Sequence, residues 1–425
     1  MRSSNTARRT AVALLTTAAL ALGPSAVATA GHTGSASSAA SVWRGAWAAS
    51  PQAATAPLTP NWSVRGFDNH TVRQSVRVTA SGSLARIELS NRYGTTPLRV
   101  TGATVARTAG GGAVRPGSVR TLRFDGRPST TIPVGGTLLS DGAALPVKAF
   151  ESLTVTLYLA GATGPATFHH VASATSYRAD GDHRADVSGA AFDETSTSWY
   201  FLSGVEVTGG RETGRRDGVV TFGDSITDGT GATTDADNRY PDELAERLAA
   251  SGRPRAVLNH GIAGNQVVND TTWAGEKALT RFREDVLNER GVRTVVILEG
   301  INDIGGSTVS FPDAPTPEVS AAELIKGHRT LIRQAHAKGL KVIGATLTPV
   351  KGSFYASPAN EAKRDAVNHW IRTSGAYDAV VDLDRAVADP ADPDRILPAY
   401  DSGDGLHPND AGYRAMAEAL DLDQL

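Results

Sequence analysis

The sequence predicts an α/β fold for the C-terminal half, a parallel sheet in a three-layer arrangement, preceded by an all-β, sandwich-like half. Three observations carry this. Between about Trp43 and Val207 apolar residues recur at every second position. Beyond Gly218 short β-branched runs alternate with helical stretches, which makes a parallel sheet covered on both faces. Between the two regimes lies a charged, glycine-containing connector, GGRETGRRD, at 209–217.

In the first half, residues 43–208, Ala85, Ile87 and Leu89 alternate with Arg86 and Glu88, and Leu153, Val155, Leu157 and Leu159 alternate with Thr154, Thr156 and Tyr158. Such period-2 runs predict strands with one face in a core and one in water. Turn signals separate them at Ala80-Ser81-Gly82, Gly110-Gly111-Gly112 and Asp125-Gly126. In the second half, residues 218–425, strands are predicted at 218–222, 256–258, 294–298, 342–345 and 379–381. Helices are predicted at 241–250, 279–289, 320–338, 360–372 and 409–420. Ser320 and Glu323 stand at capping-box spacing and mark a helix start.

Composition bounds the function. The 425 residues carry 42 Lys+Arg against 44 Asp+Glu, a formal charge of −2, with no basic footprint for nucleic acid. Cysteine is absent, which excludes disulfides, a thiolate nucleophile and Cys-ligated zinc. Hydrophobic residues make up 40% of the chain, enough for sizeable cores. Residues 1–30 have the layout of a secretory signal peptide: Arg2, Arg8 and Arg9, an apolar run from Ala11 to Leu22, then Ala28-Thr29-Ala30. Arg8-Arg9 leaves the general secretory and twin-arginine routes both open. A flexible leader follows at 31–42. No later run of about 18 apolar residues predicts a membrane span, and a secreted, extracellular monomer is expected.

Ligands of open α/β sheets bind off the carboxyl ends of the strands. After the first strand comes Gly223-Asp224-Ser225-Ile226-Thr227-Asp228-Gly229. After the second comes Gly261-Ile262-Ala263-Gly264-Asn265, after the third Glu299-Gly300-Ile301-Asn302-Asp303, and near the C-terminus Asp404-Gly405-Leu406-His407-Pro408. Together they hold the parts of acyl transfer. Ser225 can present a hydroxyl that His407 deprotonates near neutral pH. Asp404, three residues before His407, can fix its tautomer. The backbone N–H groups of Ser225 and Gly264 and the side-chain amide of Asn302 can donate to the oxyanion. Asp224 reads as a supporting loop anchor.

These four blocks, in this order over about 217–425, resemble the SGNH (GDSL) esterase/lipase family. The longer stretches ITDGTGATTDADNRYPDELAERL, LNHGIAGN and LEGINDIG are similar to its XynE-like arylesterase/acylhydrolase subgroup. The resemblance implies a flavodoxin-like hydrolase domain. It implies Ser225 as nucleophile and first oxyanion donor, Gly264 and Asn302 as the other donors, and Asp404 and His407 completing the triad. G-D-S-I-T lacks the second glycine of the α/β-hydrolase nucleophile elbow. No cofactor and no metal are called for. The substrate is expected to be a small-molecule or polysaccharide ester, with acetylated plant polysaccharide first and aryl or lipid acyl esters next. Acyl transfer to a non-water acceptor and a non-catalytic carbohydrate- or surface-binding protein are the alternatives.

The remaining polar and aromatic residues read more plainly. His260 is expected to be a satisfied structural histidine. His169, His170 and His183 match no metal-ligand spacing and are given a surface or packing role. Asp392, Asp394, Asp401 and Asp404 fit no calcium-loop register. Trp43, Trp47, Trp62 and Trp199 are expected to fill a core rather than stack on sugars. The loop at 305–317 is expected to wall the substrate pocket, with Trp273 lining it or packing beneath.

Overall fold

Five apolar runs of the C-terminal half become parallel strands: β1 (Gly218–Gly223), β2 (Val257–Gly261), β3 (Val292–Leu298), β4 (Lys341–Ala345) and β5 (Ala379–Val381). They lie in the order β2-β1-β3-β4-β5. The computed structural model describes residues 42–56, 59–210, 215–308 and 316–425. The expected signal peptide, nearly all of the leader, residues 211–214 of the connector and 309–315 of the long loop lie outside the described residues. Every residue of β1 is buried, as a central strand with both faces covered requires. The register decides where the chemistry sits. Gly223 pairs level with Gly261 on one side and Leu298 on the other, so three loops leave the sheet at one height.

Among the described residues eight α-helices accompany this sheet: α1 (Ser225–Asp228), α2 (Tyr240–Ala250), α3 (Ala278–Phe282), α4 (Ile301–Gly305), α5 (Ala321–Ala337), α6 (Pro358–Thr373), α7 (Leu383–Val387) and α8 (Asp410–Ala419). α5 opens with the Ser320/Glu323 capping box, and α2 packs on α8 as α5 does on α6. The helix expected at 279–289 is instead α3 followed by a π-helical turn, Arg283–Leu287. The wider turn accompanies a carboxylate, Asp285, that bonds Arg281 one turn earlier and Ser50 of the other half. A hairpin of Ala388–Asp389 with Asp392–Ile396 was not expected, because Asp-Pro-Asp has turn rather than strand chemistry.

The N-terminal half is mostly antiparallel strands in two main sheets. One runs Arg44–Ala48, Leu202–Thr208, Leu84–Ser90, Thr137–Leu139. The other centres on His70–Arg77 and Ser152–Leu159, flanked by Ser176–Asp180 and Gly102–Gly110. Leu153, Val155, Leu157 and Leu159 are fully buried, but Thr154 and Thr156 are buried too, which corrects the expectation of a wet outer face. The segment after Asp180 covers that face. Buried Arg73, pointing outward from the neighbouring strand, donates to the carbonyls of His183, Asp186 and Ser188 and stacks 4.2 Å from the Phe192 ring centroid. Trp47, Trp62 and Trp199 are buried in this half's core. Trp43 is half-buried and carries the Arg86 guanidinium on its ring.

Each half has its own apolar core, yet Ser41–Leu425 forms one compact unit. Ala48 joins the core of the α/β half and Ala256 the core of the β half. Thr79 Oγ1 donates to the Val257 carbonyl and accepts from the Val257 N–H, both at 3.0 Å. No helix among the described residues is long and apolar enough to cross a membrane.

Candidate active site

The turn after β1 is tight because glycine allows it: a Cβ on Gly223 would stand 2.1 Å from the Leu298 carbonyl oxygen. Asp224 caps α1 by accepting from the Ile226 N–H at 3.0 Å, which makes Ser225 the first helical residue. Its Oγ lies 2.8 Å from His407 Nε2, and His407 Nδ1 lies 2.6 Å from Asp404 Oδ2. Asp404 Oδ1 accepts from the backbone N–H of Leu406 and of His407, which closes the one turn that separates the two side chains. A carboxylate accepts only, so Nδ1 carries the proton and Nε2 is left to accept from the Ser225 hydroxyl. Burial opposes charge on Asp404, but the His407 hydrogen bond and charge and the two backbone N–H groups outweigh it and hold its carboxyl well below the usual range.

The other two strand ends meet this line through backbone bonds. The Ile262 N–H donates to Gly223 O at 3.0 Å, and the Ala263 N–H to Asp228 Oδ2 at 3.0 Å. Asn302 Nδ2 donates to Asn265 O at 3.0 Å, while its Oδ1 accepts from the Tyr355 hydroxyl at 2.9 Å. Those two bonds fix which way the amide faces and leave a second Nδ2–H. Gly264 has φ +79°, and a Cβ there would meet the Trp273 ring at 1.8 Å. Among the described residues no acceptor meets the backbone N–H of Ser225 or Gly264. Asp303 accepts from the N–H groups of Val267 and Val268, at 2.7 and 3.0 Å, and so pins the segment after Gly264.

Beneath the rim lies a buried charged layer with Arg281 at its centre. Its guanidinium donates to Asn265 Oδ1 (2.8 Å), His260 O (2.8 Å), Gly223 O (2.8 Å) and Asp285 Oδ2 (2.9 Å), and reaches Glu299 Oε2 at 3.4 Å. One side chain thus ties the ends of β1 and β2 to the segments that follow β2 and β3. Burial pushes the Asp224 and Asp303 carboxyls up to about 7 each, against the backbone N–H groups they accept from. Burial, reinforced by the Asp224 charge, raises Glu299 well above the usual range despite Arg281.

Ser225, His407, Asp404 and Asp224 therefore share one site, joined through backbone and side-chain bonds to the segments bearing Gly264 and Asn302. Arg281, Tyr355, Asp228 and Ser50 were missed. Most of their partners lie far away in sequence, and no local period marks them. Of the surface and packing roles expected for the histidines, His169 takes the buried one, 3% exposed against Asp228. His170 lies 3.1 Å from Thr59 Oγ1, and His183 pairs with Asp186. His260 is bonded at both ring nitrogens, to Ser50 and Glu289. Among the described residues Glu361, Asp365 and Asp394 come close enough to share a cation, but the Arg364 guanidinium lies against all three.

The parallel α/β sheet carries a serine–histidine–aspartate line at its carboxyl edge, an arrangement that fits acyl transfer. Residues 221–415 match the model of the GDSL-like Lipase/Acylhydrolase family. The C-terminal half of the chain belongs to that family, the GDSL or SGNH hydrolases, and the protein is a carboxylic ester hydrolase. No curated protein matches the chain. Among solved structures it is similar to an acetylxylan esterase from Geobacillus stearothermophilus, with 23% identity, 48% of this chain and 93% of that one covered, and a TM-score of 0.37. A GDSL-like lipase from Bacteroides thetaiotaomicron VPI-5482 is similar at 21% identity, over 48% of this chain and 85% of that one, with a TM-score of 0.34.

Proposed function

We propose that this is a secreted serine esterase in which residues 218–425, a three-layer flavodoxin-like domain, carry the chemistry and residues 43–208, a β-sandwich, support it. Ser225 Oγ attacks the ester carbonyl as its proton passes to His407 Nε2. Asp404 stabilises the imidazolium through Nδ1. The tetrahedral oxyanion takes hydrogen bonds from the Ser225 and Gly264 N–H groups and from Asn302 Nδ2. The alkoxide leaves with the proton from His407, forming an acyl-serine. A water, deprotonated by His407, then releases the acid and restores the hydroxyl.

The observation that carries this reading is the unbroken line Ser225–His407–Asp404, with bonds of 2.8 and 2.6 Å. The Trp273 ring against Gly264 narrows the space beside one oxyanion donor, which favours short acyl groups such as acetyl. Acetylated polysaccharides are the first choice of substrate, with aryl or short-chain acyl esters, which the likeness to arylesterases and acylhydrolases implies, next. Ser225→Ala and His407→Ala are expected to remove nearly all turnover of p-nitrophenyl acetate, and Ser225→Ala to abolish labelling by a fluorophosphonate. Substantial turnover in either variant overturns the assignment.

A further inference from the structure

The β half reaches into the catalytic half at a buried contact of unusual chemistry. His169, from the short strand Phe168–His169, places Nδ1 at 2.9 Å from the Ser50 carbonyl oxygen and Nε2 at 3.0 Å from Asp228 Oδ1. The side chains of His169 and Asp228 are 3% and 2% exposed, so water supplies no alternative partners. A carbonyl oxygen can only accept, and so can an ionised carboxylate. Both ring nitrogens must then donate, which makes this an imidazolium–carboxylate pair. The second oxygen of Asp228 accepts from the Ala263 N–H at 3.0 Å. Ala263 immediately precedes Gly264, whose amide is one of the oxyanion donors in the reading above.

Ser50 is held from below as well. Its hydroxyl donates to Asp285 Oδ2 at 2.8 Å and lies 3.0 Å from His260 Nδ1. Its carbonyl, which fixes His169, is therefore anchored to the same charged layer as the ends of β1 and β2. The chain of bonds runs from the β half to the oxyanion loop without a gap: Ser50 carbonyl, His169 ring, Asp228 carboxylate, Ala263 amide. A simple linker or appended binding module would not need to donate a charged group to this place. A buried pair also keeps its strength, because no solvent screens it.

We propose that the β half is a working part of the catalytic centre, with His169 acting as a positioning residue that, through Asp228 and the Ala263 N–H, aims the Gly264 amide at the developing oxyanion. The inference rests on the serine-esterase reading. An oxyanion donor acts in the transition state more than in the ground state, so misaiming it lowers kcat and leaves KM nearly unchanged.

The test uses the full chain with p-nitrophenyl acetate as substrate and a boronic acid as a tetrahedral mimic. His169→Ala is expected to lower kcat about 10–100-fold and to weaken boronate inhibition in parallel, with KM within about two-fold. Asp228→Ala is expected to do the same. Asp228→Asn keeps both bonds with a neutral imidazole: the amide donates to Nε2 and its oxygen accepts from Ala263. It is expected to stay within about five-fold of the parent. This variant keeps the test alive should His169→Ala fail to fold. The proposal is overturned by His169→Ala retaining kcat within two-fold, by a loss that appears in KM alone, or by Asp228→Asn falling as far as Asp228→Ala. Ser225→Ala is the control: its retaining activity would sink the nucleophile reading itself, whereas an inactive Ser225→Ala beside an unaffected His169→Ala sinks only the positioning role.

Discussion

Arg281→Met removes the one cation that the ends of β1 and β2 share with the segments after β2 and β3. The side chain is 2% exposed, and its donors lie at 2.8 Å from Gly223 O, His260 O and Asn265 Oδ1 and 2.9 Å from Asp285 Oδ2. Methionine fills much of the same volume beside the Phe222 ring, over which the guanidinium sits at 4.0 Å. The loss is therefore chiefly polar. Gly223 O, His260 O, Asn265 Oδ1, Ser50 Oγ and the buried Glu299 Oε2 lose a donor, and the Asp285 carboxylate, 4% exposed, keeps only the Ser50 hydroxyl. Breaking a buried pair by removing one member costs roughly 3–5 kcal/mol, a large share of the ~5–15 kcal/mol that holds a native protein. The assay is urea unfolding at pH 7, where the midpoint should fall by about 1 M or more. Adding Asp285→Leu, which removes the stranded charge, should recover part of the loss. A change below about 1 kcal/mol in Arg281→Met would refute the reasoning, because it would mean that the bonds drawn to this guanidinium stabilise nothing.

Two further outcomes follow from the same geometry. Gly264→Ala places a methyl 1.8 Å from the Trp273 ring at φ +79°, so kcat on p-nitrophenyl acetate should fall about 10²–10³-fold. Adding Trp273→Ala should restore only part, since the backbone strain of ~1–2 kcal/mol remains; Gly264→Ala within two-fold of the parent would contradict this. Asp224 titrates at about 7 when folded, against ~3.9 unfolded, so the folded state holds the extra proton between those values. Its contribution to stability is complete below pH ~4 and is lost as pH rises to about 7. Asp224→Asn should lack that slope: its stability relative to the parent should climb from pH 5 to a plateau just above 7, a span of roughly 3 kcal/mol by linkage, and a constant difference would refute it.

How much of this was legible depends on the range of the interaction. The parallel strands were readable because β-branched runs such as TVVIL at 294–298 are buried on both faces and need no context to be recognised. Ser225, Gly264, Asn302 and the Asp404/His407 pair stood out because each follows a strand or sits in a loop with its own turn chemistry. The alternation at Ser152–Leu159 was read correctly as strand, but its outer face was misjudged, since the covering segment comes some twenty residues later and has no period of its own. Arg281 was invisible for a similar reason. On paper it is one more polar residue of a helix with Asp285 one turn on, and only the fold brings Gly223, His260, Asn265, Ser50 and Glu299 to it. Tyr355 was missed although a clue existed: Gly305, at the end of α4 three residues after Asn302, has a Tyr355 ring carbon 2.2 Å from where its Cβ would be. A glycine at that place signals something large lying across it, but the sequence does not say what.

The aspartates of the site share a task that explains why so many carboxylates are kept where burial penalises their charge. Asp224 holds the Ile226 N–H, Asp228 the Ala263 N–H, Asp303 those of Val267 and Val268, and Asp404 those of Leu406 and His407. Each takes backbone donors of a loop or first helical turn that bears, adjoins or faces a reacting group. Water could satisfy the same N–H groups, but water reorients as charge develops and a carboxylate held by the fold does not. Preorganised donors stabilise an oxyanion because they do not have to turn toward it. Loops lack the internal hydrogen bonds of helices and strands, so their amides can be preorganised only by acceptors from outside. Buried carboxylates are the strongest acceptors a protein has for this, and the desolvation that lifts Asp224 and Asp303 to about 7 is the cost of using them. The neutralising partners then have to be buried too, which is why Arg281 and His169 lie beneath the rim and why one of them comes from the other half of the chain.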